Sequence, residues 1–475
     1  MASSVTQGES IPSIPTGESG VSFVWYGDCC SGISGANEQN FAAVNTVFRR
    51  LDAYPDVVIF AGDNIVGYSD NAEDYRAQWR YWLDHEMAWF SKLGIPIFHI
   101  TSNHNTTNEV AEAVFREIHT DIPQNGPDDQ KGLSYWVRRG DVLYVFVNTN
   151  FSGLGGSGHV EHEWLDRVLT DQADVRFKLV IGHHPVFGIN GHDLYPSWRI
   201  TPEEGAAFWE VLVRHGVFAY VCSHILAFDV KVHQGVLQIT TGGAGTYGMP
   251  VLGLMPETTE YLHLVQAALD ERGLRYQVLD TTGIAREWLR WPEPALEASD
   301  WEVFDPAQPP AGPASSSRHV SDGDAWVARF HVTGRTAPSS DAQTMLCGWQ
   351  SWEGPEAIWI GISEGDSRLI VQLVPRPGQG AQCWIGPQFP QDAPLDIEIA
   401  IHSGMGPGGV LWRTPGGVWS SLRSNSARGA DQLVWPENWN LGHGQSGSSD
   451  RAFAGADLRV EYAISTVSKS ALFTN

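Results

Sequence analysis

Five short, largely apolar runs each stop at residues that bind metals or hold charge, and this recurrence constrains the fold of the 475-residue chain more than any other feature. Val21-Ser22-Phe23-Val24-Trp25-Tyr26 is followed by Gly27-Asp28-Cys29-Cys30, and Val57-Val58-Ile59-Phe60-Ala61 by Gly62-Asp63-Asn64. Ile95-Pro96-Ile97-Phe98-His99-Ile100 leads to Ser102-Asn103-His104-Asn105. Phe177-Lys178-Leu179-Val180-Ile181 leads to Gly182-His183-His184-Pro185, and Phe218-Ala219-Tyr220-Val221 to Cys222-Ser223-His224-Ile225-Leu226. Runs of this length, rich in β-branched and aromatic residues, read as buried strands.

Amphipathic stretches lie between the runs, at residues 38–54 and 74–93. Strands alternating with helices predict an α/β sheet whose strand-end loops carry the functional residues. Taken singly, each motif has a plain explanation. A lone Gly-Asp is a turn, His-His-Pro is a loop stopped by proline, and Asn103-His104-Asn105 could cap a helix. Those explanations do not account for five such ends in one chain.

In this order the motifs resemble the calcineurin-like metallophosphoesterase family over roughly residues 21–285. Val147-Asn148-Thr149-Asn150, Glu163-Trp164-Leu165 and Thr240-Thr241-Gly242-Gly243-Ala244-Gly245 fall where that family places similar residues. The resemblance implies a layered α/β sandwich, hydrolysis of phosphoric esters (as phosphatase or phosphodiesterase), and one or two divalent ions of the Mn, Fe, Zn or Ni kind. By the same resemblance Asp63 is the bridging carboxylate, and Asn103, His183 and His224 complete one metal site. Asp28 is the first ligand of the other. Cys30 stands where the family has histidine, and Leu226 where it has its final histidine. His104 matches the catalytic histidine, where an imidazole can neutralise a phosphoryl oxygen or protonate the leaving group. His184 reads as a structural neighbour of the site. His192, in the polar loop Asn190-Gly191-His192-Asp193, is the candidate for contact with substrate. Purple acid phosphatases place a tyrosine three residues after the bridging aspartate. Here that position is Val66, which sets that subfamily aside.

The altered site leaves three readings open. Cys30 ligates as a thiolate and holds a weakly bound ion. Alternatively, one ion at the intact site performs single-metal chemistry. In the third, the chain is a pseudophosphoesterase that keeps the fold for binding a glycan or other ligand. Cys30 also has a plainer explanation, a small buried residue without a role.

The texture changes past residue 290. Residues 291–323 carry Trp291-Pro292-Glu293-Pro294, then Pro306, Pro309, Pro310, Pro313 and Ser315-Ser316-Ser317, the composition of a linker. Residues 324–468 alternate apolar and polar through runs such as Trp326-Val327-Ala328-Arg329-Phe330-His331-Val332 and Leu395-Asp396-Ile397-Glu398-Ile399-Ala400-Ile401. Glycine-rich turns separate these runs, which predicts an all-β jelly-roll sandwich. Its strand texture resembles concanavalin A-like or laminin G-like domains. The expected organisation is an N-terminal tail (1–20), a phosphoesterase domain (21–290), a linker (291–323) and a β-sandwich (324–468). Trp349, Trp352, Trp359, Trp384, Trp412, Trp419, Trp435 and Trp439 all fall in the last of these. Most are expected to pack inside. Trp435 and Trp439, beside Pro436 and Asn438, are the candidates for stacking on a carbohydrate.

A net charge of −25 argues against nonspecific nucleic-acid binding and against anionic membranes, and favours a small phosphate ester over a polyanion. The positive charge is mostly arginine, since Lys92, Lys131, Lys178, Lys231 and Lys469 are the only lysines. Cys29, Cys30, Cys222, Cys347 and Cys383 do not form the pattern of a disulfide framework, although Cys347 and Cys383 could pair. The first twenty residues lack the charged start and apolar centre of a signal peptide, and no apolar run is long enough for a membrane span. The expected location is cytoplasmic, or secreted after removal of an export signal.

Overall fold

A computed structural model describes residues 9–188, 198–246, 261–292, 296–297, 299–308, 324–334, 342–349, 356–374, 381–390, 393–402, 410–424, 436–445, 453, 457–466 and 472–473. The chain divides into two compact units. The first comprises residues 1–229, 236–292 and 472–475, and the second residues 230–235 and 293–471.

In chain order the first part contains β1 (Val21–Tyr26), α1 (Glu38–Phe48), β2 (Val57–Phe60), α2 (Ala72–Tyr81), β3 (Ile97–His99) and α3 (Glu109–Ile118). There follow β4 (Tyr135–Arg139), β5 (Val142–Phe146), α4 (His162–Asp171), β6 (Phe177–Ile181), α5 (Pro202–Arg214) and β7 (Ala219–Cys222). β8 (Phe228–His233), β9 (Val236–Thr241), β10 (His263–Asp270), β11 (Gly273–Asp280) and β12 (Ala285–Trp291) complete it. They form two six-stranded sheets, ordered β12-β11-β10-β1-β2-β3 and β4-β5-β6-β7-β9-β8. β1, β2 and β3 run parallel, as do β5, β6, β7 and β9. Parallel strands covered on both faces are apolar throughout rather than alternating. Accordingly, β2, β5, β6 and β7 are buried at every residue.

Helix starts follow capping chemistry. Asn71 accepts from Glu73 N at the head of α2, and Asn108 from Ala111 N at the head of α3. The Asn103 segment therefore caps no helix, because α3 begins only after Asn108. The amphipathic stretch expected over 74–93 is broken: α2 gives way to a π-turn at Trp82–Glu86 and a 3₁₀ turn at Phe90–Leu93.

The N-terminal segment is anchored rather than a free tail. Ile11 N donates to Arg50 O at 2.8 Å, Ile11 and Ile14 are buried, and Gly17 N donates to the Asp270 carboxylate at 2.9 Å. Arg275, fully buried, ties both ends of the chain to this unit: it donates to Pro15 O at 2.7 Å and to Leu472 O at 2.9 Å, and pairs with Asp270 at 2.7 Å.

The second unit is built on β13 (Glu302–Val303), β14 (Asp324–Thr333), β15 (Gln343–Trp349), β16 (Glu356–Ile362), β17 (Arg368–Leu373) and β18 (Gln382–Gln388). β19 (Leu395–His402), β20 (Val410–Arg413), β21 (Ser420–Ser421), β22 (Arg423–Ser424), β23 (Asn438–Leu441) and β24 (Asp457–Thr466) follow. Two antiparallel sheets, β13-β24-β14-β19-β20-β21 and β22-β18-β17-β16-β15-β23, enclose one apolar core that includes Trp326, Phe330, Ile360, Trp384, Ile399 and Trp439. This is a β-sandwich. β13 and the buried Phe304 belong to it although they lie in the stretch read as linker; the short strand pairs antiparallel with β24.

Trp349, Trp359, Trp384, Trp419 and Trp439 are buried, and Trp412 packs partly buried against the core. Burial overturns the reading of Trp439 as a stacking surface, since a ring inside the core cannot meet a sugar. Trp352 and Trp435 lie outside the described residues. Cys347 and Cys383 sit on β15 and β18, with β16 and β17 between them, so they do not bridge. No helix among the described residues is long and apolar enough to cross a membrane.

Candidate metal centre

The loops after β1, β2 and β3 in one sheet and after β6 and β7 in the other bring their polar residues to one place. The backbone there is unusual. Asp28, Cys30, Asp63 and His224 have φ of 63°, 41°, 52° and 66°. Non-glycine residues adopt this left-handed region rarely, with Asp, Asn and His the most tolerant, and such strain gathers at functional sites. Close approach also fixes a glycine. A Cβ on Gly62 would lie 2.5 Å from His183 Nδ1, so the bend before Asp63 admits no side chain.

His183 Nδ1 meets Ala61 O at 2.9 Å. A carbonyl oxygen can only accept, so Nδ1 donates to it and Nε2 is the nitrogen turned inward. Nε2 faces Asn103 Oδ1 at 2.9 Å, Asp63 Oδ1 at 3.3 Å and His224 Nδ1 at 3.2 Å, and His224 Nδ1 lies 3.0 Å from Asn103 Oδ1. The Asn103 amide is oriented in turn, because its Nδ2 donates to Tyr68 Oη at 2.7 Å and turns Oδ1 inward. The four converging atoms are two oxygens and two imidazole nitrogens. Such a set suits a cation of intermediate hardness. The ligating atoms of Asp63, His183 and His224 all lie within 4.8 Å of one another.

A second group shares Asp63. The Cys30 thiol, Asp63 and His104 also lie within 4.8 Å of one another. His104 Nδ1 meets Val66 O at 2.6 Å, its Nε2 lies 3.8 Å from Asp63 Oδ2, and its backbone N–H donates to Asp63 Oδ1 at 3.3 Å. Asp28 is fully buried. One carboxylate oxygen accepts from Ser223 Oγ and, at 3.2 Å, from His224 N; the other has no hydrogen-bond partner. A buried carboxylate oxygen without a donor is the kind of atom a metal ion satisfies.

The electrostatics separate the two groups. Burial alone would raise the pKa of Asp63, but His183 and His104 beside it hold it well below the usual carboxylate range. Burial and then the charge of Asp63 push Asp28 well up. Burial, followed by Asp63 and Asp28, pushes the Cys30 thiol well above its ordinary value.

His184 lies beside the site without entering it. Thr149 Oγ1 and Ser157 Oγ each meet one of its ring nitrogens at 2.8 Å, and burial lowers its pKa well below that of a free imidazole. His159 pairs with Glu204 at 2.7 Å, away from the ligands. His192 lies outside the described residues. Leu226 belongs to neither group of ligating atoms. The sequence reading missed Tyr68; a tyrosine in a polar loop carries no spacing signal.

Two mixed sheets, with strand-end carboxylates, an amide and imidazoles converging between them, define a metallophosphoesterase fold in the N-terminal part. Residues 21–228 match the model of the calcineurin-like phosphoesterase family. Comparison with the curated proteins found no match. Among solved structures, a dimetal phosphatase from Danio rerio is 16% identical, with a TM-score of 0.37, covering 55% of this chain and 96% of that one. A purple acid phosphatase from yellow lupin (Lupinus luteus) seeds is 12% identical, with a TM-score of 0.41, covering 57% of this chain and 53% of that one. GAP50, the anchor in the inner membrane complex of Plasmodium, is 12% identical, with a TM-score of 0.38, covering 57% of this chain and 88% of that one.

Proposed function

We propose that the N-terminal unit is a metal-dependent hydrolase of small phosphoric esters. The observation that carries the reading is the convergence of Asp63, Asn103, His183 and His224, with the His183 tautomer set by Ala61 O and the Asn103 amide set by Tyr68. These four would hold a divalent ion, with Asp28, Cys30 and Asp63 available to a second. A divalent ion there supplies Lewis acidity toward a phosphoryl oxygen and an attacking water.

The chain's own residues supply the rest. Val66 O holds the Nδ1 proton of His104, so Nε2 is the atom turned toward the reacting group. It takes up or donates the proton that the developing charge on a phosphoryl or leaving oxygen requires. His183 and His104 beside it hold Asp63 well below the usual carboxylate range, so its carboxylate would be available to either ion.

The test is elemental analysis of purified protein beside a screen of phosphomonoesters and phosphodiesters. Near-stoichiometric metal with turnover supports the reading. Metal-free protein without turnover overturns it in favour of a fold kept for binding.

A further inference from the structure

We propose that Tyr68 contacts the substrate of this site, its phenol O–H donating to a phosphoryl oxygen while its ring forms the apolar wall for an aromatic or heterocyclic group esterified to that phosphate. The proposal deepens the phosphoester reading above and rests on it. Tyr68 is 58% exposed, unusual for an aromatic side chain of this size beside a polar site. Its hydroxyl is nevertheless held in place, because Asn103 Nδ2 donates to it at 2.7 Å. Acting as acceptor toward Asn103 leaves the phenol proton for another oxygen, and no bond from it to an acceptor is formed among the described residues. The same amide turns its oxygen to His183 and His224, so the phenol lies one side chain from the converging ligands.

The segment that carries Tyr68 is shaped around His104. Val66 O accepts from His104 Nδ1 at 2.6 Å, and a Cβ on Gly67 would lie 2.0 Å from His104 O. Gly67 and Tyr68 have φ of 66° and 50°, so a bulky residue occupies the left-handed region at the point where its ring meets the imidazole edge-on, centroids 4.5 Å apart. Residues 66–68 thereby present a neutral donor and a flat apolar face beside the candidate acid.

The experiment compares wild type, Tyr68→Phe and Tyr68→Ala in the full chain at saturating Mn²⁺, so that any loosening of Asn103 does not enter. Binding of inorganic phosphate is measured by calorimetry, and hydrolysis is followed with an aryl and an alkyl phosphate ester. The expected result is a roughly tenfold weaker affinity for phosphate in Tyr68→Phe, the loss of one hydrogen bond to a charged group. Tyr68→Ala should lose a further several-fold in kcat/KM on the aryl ester only. Melting temperatures should stay unchanged, as befits an exposed side chain. Wild-type affinity in Tyr68→Phe overturns the proposal, as does a large fall in melting temperature, which would make Tyr68 structural. Wild-type protein that neither binds phosphate nor hydrolyses either ester overturns the phosphoester reading and Tyr68 with it. Wild-type activity with an unaffected Tyr68→Phe overturns Tyr68 alone.

Discussion

Asp63 stands between two sets of neighbours that differ in how their protons are placed. On one side, His183 donates from Nδ1 to a backbone carbonyl and Asn103 donates from Nδ2 to Tyr68, so His183 Nε2 and Asn103 Oδ1 are the atoms turned inward. On the other, the Cys30 thiol and the Asp28 carboxyl are both pushed toward their neutral forms by burial and by Asp63. An ion entering the second set is expected to compete with protons more than one entering the first. Metal affinity is expected to follow that difference, since ligands bind in their deprotonated forms.

The largest expected effect comes from breaking the stronger half. His183→Ala or His224→Ala should leave the protein essentially metal-free by elemental analysis and abolish ester hydrolysis. Unchanged metal content in either variant would overturn the assignment of this half.

Restoring the weaker half comes next. As purified, the chain should carry one ion, at His183 and His224. Cys30→His combined with Leu226→His should raise occupancy toward two and increase phosphodiester hydrolysis. Gain of the second ion with loss of a native activity would mean that cysteine and leucine serve a different chemistry. Occupancy that stays at one would mean that the weakness lies elsewhere than in these two positions.

A third test separates histidines that face an ion from those that fill space. Burial lowers His99 to about 3 and His263 to about 4, and His119 is lowered well below the ordinary value. Each is neutral in the folded chain and takes up a proton once unfolded, near pH 6.5. Their contribution to stability is thus complete above pH 6.5 and is lost as pH falls toward 4. For His263 alone the loss is on the order of 3 kcal/mol. Urea midpoints measured across this window should fall steeply, and His263→Gln should flatten the slope. A pH-independent midpoint would count against neutral burial.

The smallest effect concerns the second unit. Trp439→Ala should lower the stability of the sandwich by about 3 kcal/mol, because it empties a packed site between sheets. A variant that melts like wild type yet loses affinity for a sugar array would restore Trp439 as a ligand contact.

The strand ends were legible because the signal is local. A buried parallel strand must be apolar along its length, and the chain must then turn sharply, so the first polar residues after each run sit at one edge of the sheet. Asp28, Asp63, Asn103, His183 and His224 all follow that rule, as do the positions of β1, β2, β6 and β7. The sandwich was legible for the same reason, since alternation over successive runs leaves little choice of partner face. The segment over 74–93 was not, because its apolar spacing continues through the π-turn at Trp82–Glu86 although the helical hydrogen bonding changes there. Neither was β13, whose two residues carry no pattern and are strand only because β24 lies beside them. The inward face of Trp439 likewise followed from no local cue, since Pro436 and Asn438 mark a turn whichever way the ring points.

The amino-acid sequence by itself determined which residues can ligate and that they lie at strand ends, because apolar runs and the small polar residues after them are short-range properties of the chain. Only the tertiary structure decided which protons are already spoken for. Ala61 O beneath His183, Tyr68 Oη against Asn103 and Val66 O against His104 are contacts across long sequence separations, the first between loops of the two sheets and the others between loops of one sheet. A hydrogen bond to the outer atom of a ligand sets the state of the inner one, and no spacing along the chain records where that bond will form.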